Sequence, residues 1–159
     1  RIIKTIENSA VAGLIFANHN KANDLKVDML IESDCQLGRY PSITNEALVT
    51  LVGNLIDNAL LAAWSNRLLT PPFVKLYISD RNAHIMIQIE DSGAGVDEKL
   101  ESRILDFGVS SKNNIEQHGI GLYLVKKIVD QYHGSLDWER SEVNTTVFSI
   151  YLDKRALTR

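Results

Sequence analysis

Residues 44 to 63 carry the pattern that most constrains the fold. Leu48, Leu51, Val52, Leu55, Ala59 and Ala62 recur at three- and four-residue intervals, the period that lines one face of an α-helix. Ser42 or Thr44 stands ahead of them as a cap able to accept a hydrogen bond from the first turn. So long an apolar stripe needs a second layer to cover it, and the rest of the chain offers strands. Residues 73 to 79 and 84 to 90 place apolar side chains at alternate positions around Asp80-Arg81-Asn82, which predicts a β-hairpin. Residues 27 to 32, 135 to 138 and 146 to 152 read as further strands. Ala10, Leu14, Ala17 and Ala22 predict a helix over residues 9 to 25, and Ile120, Leu124, Ile128 and Tyr132 another, ended by Gly134 as its C-cap. These strands do not alternate regularly with helices. The expected class is therefore α+β, with helices on one face of a sheet, rather than a doubly wound fold.

With 159 residues, 45% hydrophobic and 23% charged, the chain is long enough for one cored domain, and it shows no repeat or low-complexity tract. A net charge of −3 gives no reason to expect nucleic acid as a partner, so any phosphate binding has to be local. The single cysteine, Cys35, excludes an internal disulfide or a cysteine metal cluster and is expected to be a buried, idle thiol. His19, His84, His118 and His133 are scattered without zinc spacing, and neither a Gly-x-Ser-x-Gly elbow nor a Walker pattern occurs. No apolar run is expected to reach the roughly 20 residues a membrane span needs. The chain begins at Arg1 rather than at a methionine, so it is expected to be a soluble piece of something longer.

Three short segments bear chemistry. Asn54 and Asn58 lie one helical turn apart at the border of the apolar stripe, where asparagine is mildly unfavourable. Either they bond locally to the backbone, or the amide oxygen of Asn58 enters the shell of an oxygen-seeking Mg²⁺ while Asn54 orients a water or a phosphate. Asp57 points farther round the helix as a solvated or capping charge, and Leu61 packs. At the end of the second hairpin strand comes Asp91, with Gly93 and Gly95 allowing backbone to approach a flat ligand. Its carboxylate can accept from an exocyclic amine, although an Asp-Ser-Gly turn would look the same. His118-Gly119-Ile120-Gly121 is expected to open a helix whose free N–H groups favour an anion. Between residues 96 and 118 the periodicity fades into a long loop, from which Lys112 could reach a terminal phosphate.

Taken in order, Asn54-Leu-Ile-Asp-Asn58-Ala, Asp91-Ser-Gly-Ala-Gly95, Phe107-Gly-Val-Ser-Ser-Lys112 and His118-Gly-Ile-Gly-Leu122 resemble the N, G1, F and G2 boxes of the GHKL ATPase and kinase superfamily. The run from Gly119 to Lys127 and the closing Thr145-Thr-Val-Phe-Ser-Ile-Tyr-Leu152 resemble sensor histidine kinases. The front part is similar to the citrate and C4-dicarboxylate sensor kinases. This resemblance implies a two-layer Bergerat sandwich with a mixed sheet, helices on one face and a long ATP lid. Residues 1–25 would be the tail of an upstream dimerisation helix and its linker, and residues 26–155 the catalytic ATP-binding domain. It further implies ATP and Mg²⁺ as cofactors, Asn58 as the metal ligand, Asn54 on the phosphate side, Lys112 at the phosphates and Asp91 reading adenine. Gly93, Gly95, His118, Gly119, Ile120, Gly121 and Leu122 would shape the pocket, and Thr146 would touch the nucleotide. The implied partners are the protein's own phosphoacceptor domain and a response regulator receiver domain, within a bacterial inner-membrane homodimer whose catalytic part is cytoplasmic.

Two positions depart from that pattern: Gln117 replaces the first glycine of the G2 box, and Asn144 a common glycine before Thr145. His19-Asn20 also lacks the acidic residue that normally follows a phosphate-accepting histidine, which places the acceptor upstream of this chain. Hydrolytic superfamily members carry a glutamate where Asn54 stands, and an amide cannot take a proton from water near neutral pH. A hydrolysing ATPase is therefore the lesser alternative. A degenerate interaction module is the other, and intact Asn58, Asp91 and glycines weigh against it.

Overall fold

The computed structural model describes residues 6–95 and 115–157, the side chains of the second stretch from residue 121 onward. Its elements run α1 (Ser9–Leu25), β1 (Asp28–Ile31), α2 (Asn45–Ser65), β2 (Phe73–Ser79), β3 (His84–Asp91), α3 (Ile115–Gln131), β4 (Ser135–Arg140), β5 (Thr146–Asp153) and α4 (Lys154–Leu157). The Thr44 hydroxyl caps α2 by accepting from the Ala47 amide at 3.0 Å, which satisfies one of the donors a helix start leaves free. Leu48, Leu51, Val52, Leu55, Ile56, Ala59, Leu60 and Ala63 are buried. That stripe lies against β2 and β3.

The sheet has the order β1-β2-β3-β5-β4, with β1 parallel to β2 and every other pair antiparallel. Strand alternation puts Val74, Leu76 and Ile78 of β2, Ile85, Ile87 and Ile89 of β3, and Phe148, Ile150 and Leu152 of β5 on the buried face. On the opposite face Lys75, Tyr77, Gln88 and Tyr151 are partly exposed, and the Gln88 amide donates across the ladder to Ser149 Oγ at 3.1 Å. The architecture is the α+β, two-layer arrangement with a mixed sheet. Helix α1 joins the helical layer through Val11, Ala12, Ile15 and Ala22, buried against α2 and β1.

Helix ends depart from expectation at the third helix. It begins at Ile115, not at His118, because Glu116 and Gln117 are good helix formers and an interior glycine costs only about 1 kcal/mol. At its other end the left-handed residue is His133, with φ of 58°. Gly134 sits one position farther on, its N–H donating to Val129 O at 2.8 Å and that of His133 to Asp130 O at 3.1 Å, a Schellman closure. Asn144 also takes a positive φ, 62°, a conformation asparagine tolerates better than most residues.

The expectation that no segment is long and apolar enough for a membrane span is corrected by α2, which has 21 residues and a mean hydropathy of 1.5 in its most apolar window. Half of that window is buried inside the fold, and the stripe is used on the sheet. Cys35 is buried and unpaired. At the β2–β3 turn, the buried Asp80 carboxylate accepts from Gly38 N and Tyr40 Oη at 2.7 Å each and from Gln36 Nε2 at 3.2 Å. Removing it strands those donors, so Asp80→Ala should cost about 2 kcal/mol, read as a shift in the urea midpoint at unchanged slope.

Candidate functional site

The apolar rows of the inner sheet face end in a polar one. Asp91 pairs across β3 and β5 with Thr146, and Thr146 across β5 and β4 with Arg140, so the three side chains share one face and one level. Arg140 Nη1 donates to Thr146 Oγ1 and to Gly93 O, both at 2.8 Å, tying the loop after β3 to the sheet. The Gly93 N–H in turn donates to Asp91 Oδ1 at 2.8 Å. Asp91 Oδ2 is buried and has no hydrogen-bond partner. Burial lifts the Asp91 carboxyl to about 7, against the opposing pull of the Gly93 amide and of Arg140.

Glycine is obligatory at position 93, where an added Cβ would lie 2.7 Å from Ala62 Cβ and 2.7 Å from Asp91 Oδ1. The loop can therefore press directly on α2. Asn66, just past that helix, donates to Ser92 O at 2.9 Å and holds the same loop from its other side. Gly95 has φ of +94° and lies against the Arg140 side chain.

One helical turn before Ala62 stands Asn58. Its Oδ1 is the second buried side-chain oxygen without a partner, and together with Asp91 Oδ2 it completes the set of such atoms among the described residues. Native structures rarely leave acceptors in this state, so both mark places where an outside donor or cation fits. Asn54, another turn back, donates its amide nitrogen to Thr50 O at 2.8 Å, which leaves its oxygen facing α3. A Cβ on Gly121 would approach that oxygen to 3.0 Å, so the glycine lets α3 come close. The local backbone bond weighed from sequence is thus real for Asn54.

Asn54, Asn58 and Gly121 line one cavity of about 500 Å³, together with Asp57, Leu61 and Trp64 of α2 and Lys21 and Leu25 of α1. Asp91 is not in that lining; Gly93, whose N–H donates to its carboxylate, abuts Ala62, one turn beyond Asn58. The arrangement offers an apolar groove with an acceptor oxygen at Asn58 and, outside its lining, a buried carboxylate oxygen at Asp91. Chemically the carboxylate suits an amine donor, and the amide oxygen suits a cation with its anionic ligands.

The structure moves some of the residues that the sequence assigned to the pocket. Leu122, grouped with the pocket-forming residues, is 1% exposed and packs in the core, in a row with the buried Val125 and Val129 three and seven residues on. The His118-Gly119-Ile120-Gly121 run lies inside α3 instead of opening it, so among the described residues the free N–H groups of that helix belong to residues 115–117. Side chains of His118 and Ile120, and all of Lys112 and the loop it lies in, fall outside the described residues. Thr146 is buried and its hydroxyl is engaged by Arg140. Sequence reasoning missed Arg140, Lys21 and Trp64. Only strand register brings the first to Thr146, and only helix packing brings the others to the cavity.

The family model described as histidine kinase-, DNA gyrase B- and HSP90-like ATPase matches residues 44–156. A probable C4-dicarboxylate sensor kinase of Halalkalibacterium halodurans is 35% identical over 156 residues, 97% of this chain and 29% of that protein. Sensor histidine kinase CitA of Klebsiella pneumoniae is 32% identical over 95% of this chain and 27% of its own length. The chain thus spans under a third of these relatives. Among solved structures, the catalytic domain of histidine kinase ThkA superposes with a TM-score of 0.72 at 22% identity, over 92% of each chain. With the match covering both the Asn helix and the Asp91 loop, the chain belongs to the histidine kinase-, DNA gyrase B- and HSP90-like ATPase family.

Proposed function

We propose that this chain is the ATP-binding catalytic domain of a sensor histidine kinase, presenting the γ-phosphoryl group of ATP to a histidine upstream of residue 1 for relay to a response regulator. In this reading residues 1–25 lead in from a dimerisation helix and residues 26–155 hold the nucleotide, within a membrane-bound homodimer whose kinase part is cytoplasmic. The observation that carries it is the pair of buried, partnerless acceptor oxygens, Asn58 Oδ1 in the lining of the cavity and Asp91 Oδ2 on the neighbouring strand, whose following loop abuts α2 at Ala62.

Asp91 accepts from the exocyclic amine of adenine, and Gly93 brings backbone to the edge of the base. Asn58 Oδ1 fits a Mg²⁺ shell, being an uncharged oxygen on a fixed helix, and the ion would neutralise charge on the phosphates. Asn54 faces the phosphate side, where Gly121 opens the approach to α3. Phosphoryl transfer needs positioning more than covalent chemistry from the protein, and these groups position. Asn54, being an amide, provides no general base for water, which favours transfer to a protein acceptor over hydrolysis.

Calorimetry tests the reading. Mg·ADP should bind the unmutated chain, and Asn58→Ala should weaken it about tenfold while leaving binding without Mg²⁺ unchanged. Failure of the unmutated chain to bind Mg·ADP or Mg·ATP would sink it.

A further inference from the structure

We infer that Lys21, on the helix that precedes the nucleotide-binding segments, is a phosphate-binding residue that exchanges its partner Asp57 for the nucleotide. The inference rests on the nucleotide reading above and adds a residue that no motif identifies. Helix α1 packs on α2 and brings Lys21 and Leu25 to the rim of the cavity that holds Asn54, Asn58 and Gly121. Among the described lining residues Lys21 is the one cation. The stripe of α2 that faces the cavity supplies amides, then Leu61 where the next turn comes round, then Trp64, and its one charge is the acid Asp57. A triphosphate stays anionic with one divalent ion bound, so a groove that accepts it gains from a lysine and is opposed by an uncompensated aspartate.

Lys21 Nζ lies 3.3 Å from Asp57 Oδ1, with the two side chains 56% and 57% exposed. A pair that exposed is weakly held, and lysine is a mobile point charge on a flexible stem. Asp57 therefore neutralises and parks the ammonium at the cavity edge without locking it there, and an arriving phosphate competes for it. Leu25, one turn farther along α1, contributes only apolar wall.

The test compares Mg·ATP, Mg·ADP and adenosine binding by calorimetry for the unmutated chain, Lys21→Met and Asp57→Asn, with thermal unfolding midpoints to confirm folding. Lys21→Met should weaken Mg·ATP about tenfold and leave adenosine unchanged, whereas Asp57→Asn should tighten Mg·ATP. Mg·ATP affinity within about twofold of the unmutated chain for Lys21→Met overturns the inference. Equal losses for Mg·ATP and adenosine overturn it too, since they would show a structural role. If the unmutated chain binds none of the three, the nucleotide reading itself fails and takes this inference with it. Normal adenosine and Mg·ATP binding with an inert Lys21 would sink this inference alone.

Discussion

Asp91→Asn should lower ATP affinity by about a hundredfold at pH 8, since an amide in place of the carboxylate loses a charge-assisted acceptor and can set a donor against the adenine amine. The same substitution should make the chain more stable at that pH. The carboxyl titrates near 3.8 when unfolded and at about 7 when folded, because burial disfavours its charge. Between those values the folded state holds a proton that the unfolded state has released. The contribution is therefore fully present below the unfolded value and is lost as pH rises through the folded one. Unfolding free energy of the unmutated chain should fall across that window by roughly 4 kcal/mol relative to Asp91→Asn. Parallel pH profiles of the two proteins in denaturant melts would refute this account of the acid. With Asp91 as the adenine acceptor, ATP binding should weaken as pH drops below about 7.

The second large effect is steric. At Gly134 an added Cβ would lie 2.4 Å from the Tyr151 carbonyl oxygen and 2.7 Å from Leu152 Cδ2. The carbonyl belongs to the β4–β5 ladder, where Ser135 pairs with Tyr151, so it cannot give way without loosening the strand edge. Gly134→Ala should cost about 3 kcal/mol and lower the melting temperature by roughly 10 °C. Gly13 makes the control. It lies within α1, an added Cβ there meets nothing within 4 Å, and Gly13→Ala should stabilise by about 0.5–1 kcal/mol. Equal effects of matching sign at the two positions would contradict the packing described here.

What the sequence revealed was whatever repeats locally. The stripe of α2, the alternation of β2 and β3, and the turn around Asp80-Arg81-Asn82 each follow from a period that neighbouring residues share, and their bounds come out within a residue or two. Asn54 and Asn58 were visible because asparagines sit mid-helix where propensity alone would not put them, and Asp91 and Gly93 because of the order in which they follow. Other parts were hidden because their cause is not local. The reason for Gly134 is a carbonyl on β5 rather than its own φ, and the left-handed position falls on His133 instead of on the glycine beside it. Arg140 gains its role from a register six residues away on β5, and Lys21 from the packing of two helices. The start of α3 was misplaced because its glycines read as an opening when the flanking residues could already propagate a helix.

The polar row at the end of the inner sheet face has a mechanical meaning. Asp91 is carried by backbone pairing on β3, while the two amides ride on α2, so the two partnerless acceptor oxygens are held by different layers. Where Gly93 bears on Ala62 those layers meet with no side chain between them that could swing aside. The separation between those two acceptors is consequently gauged by main chain, and no change of rotamer can adjust it.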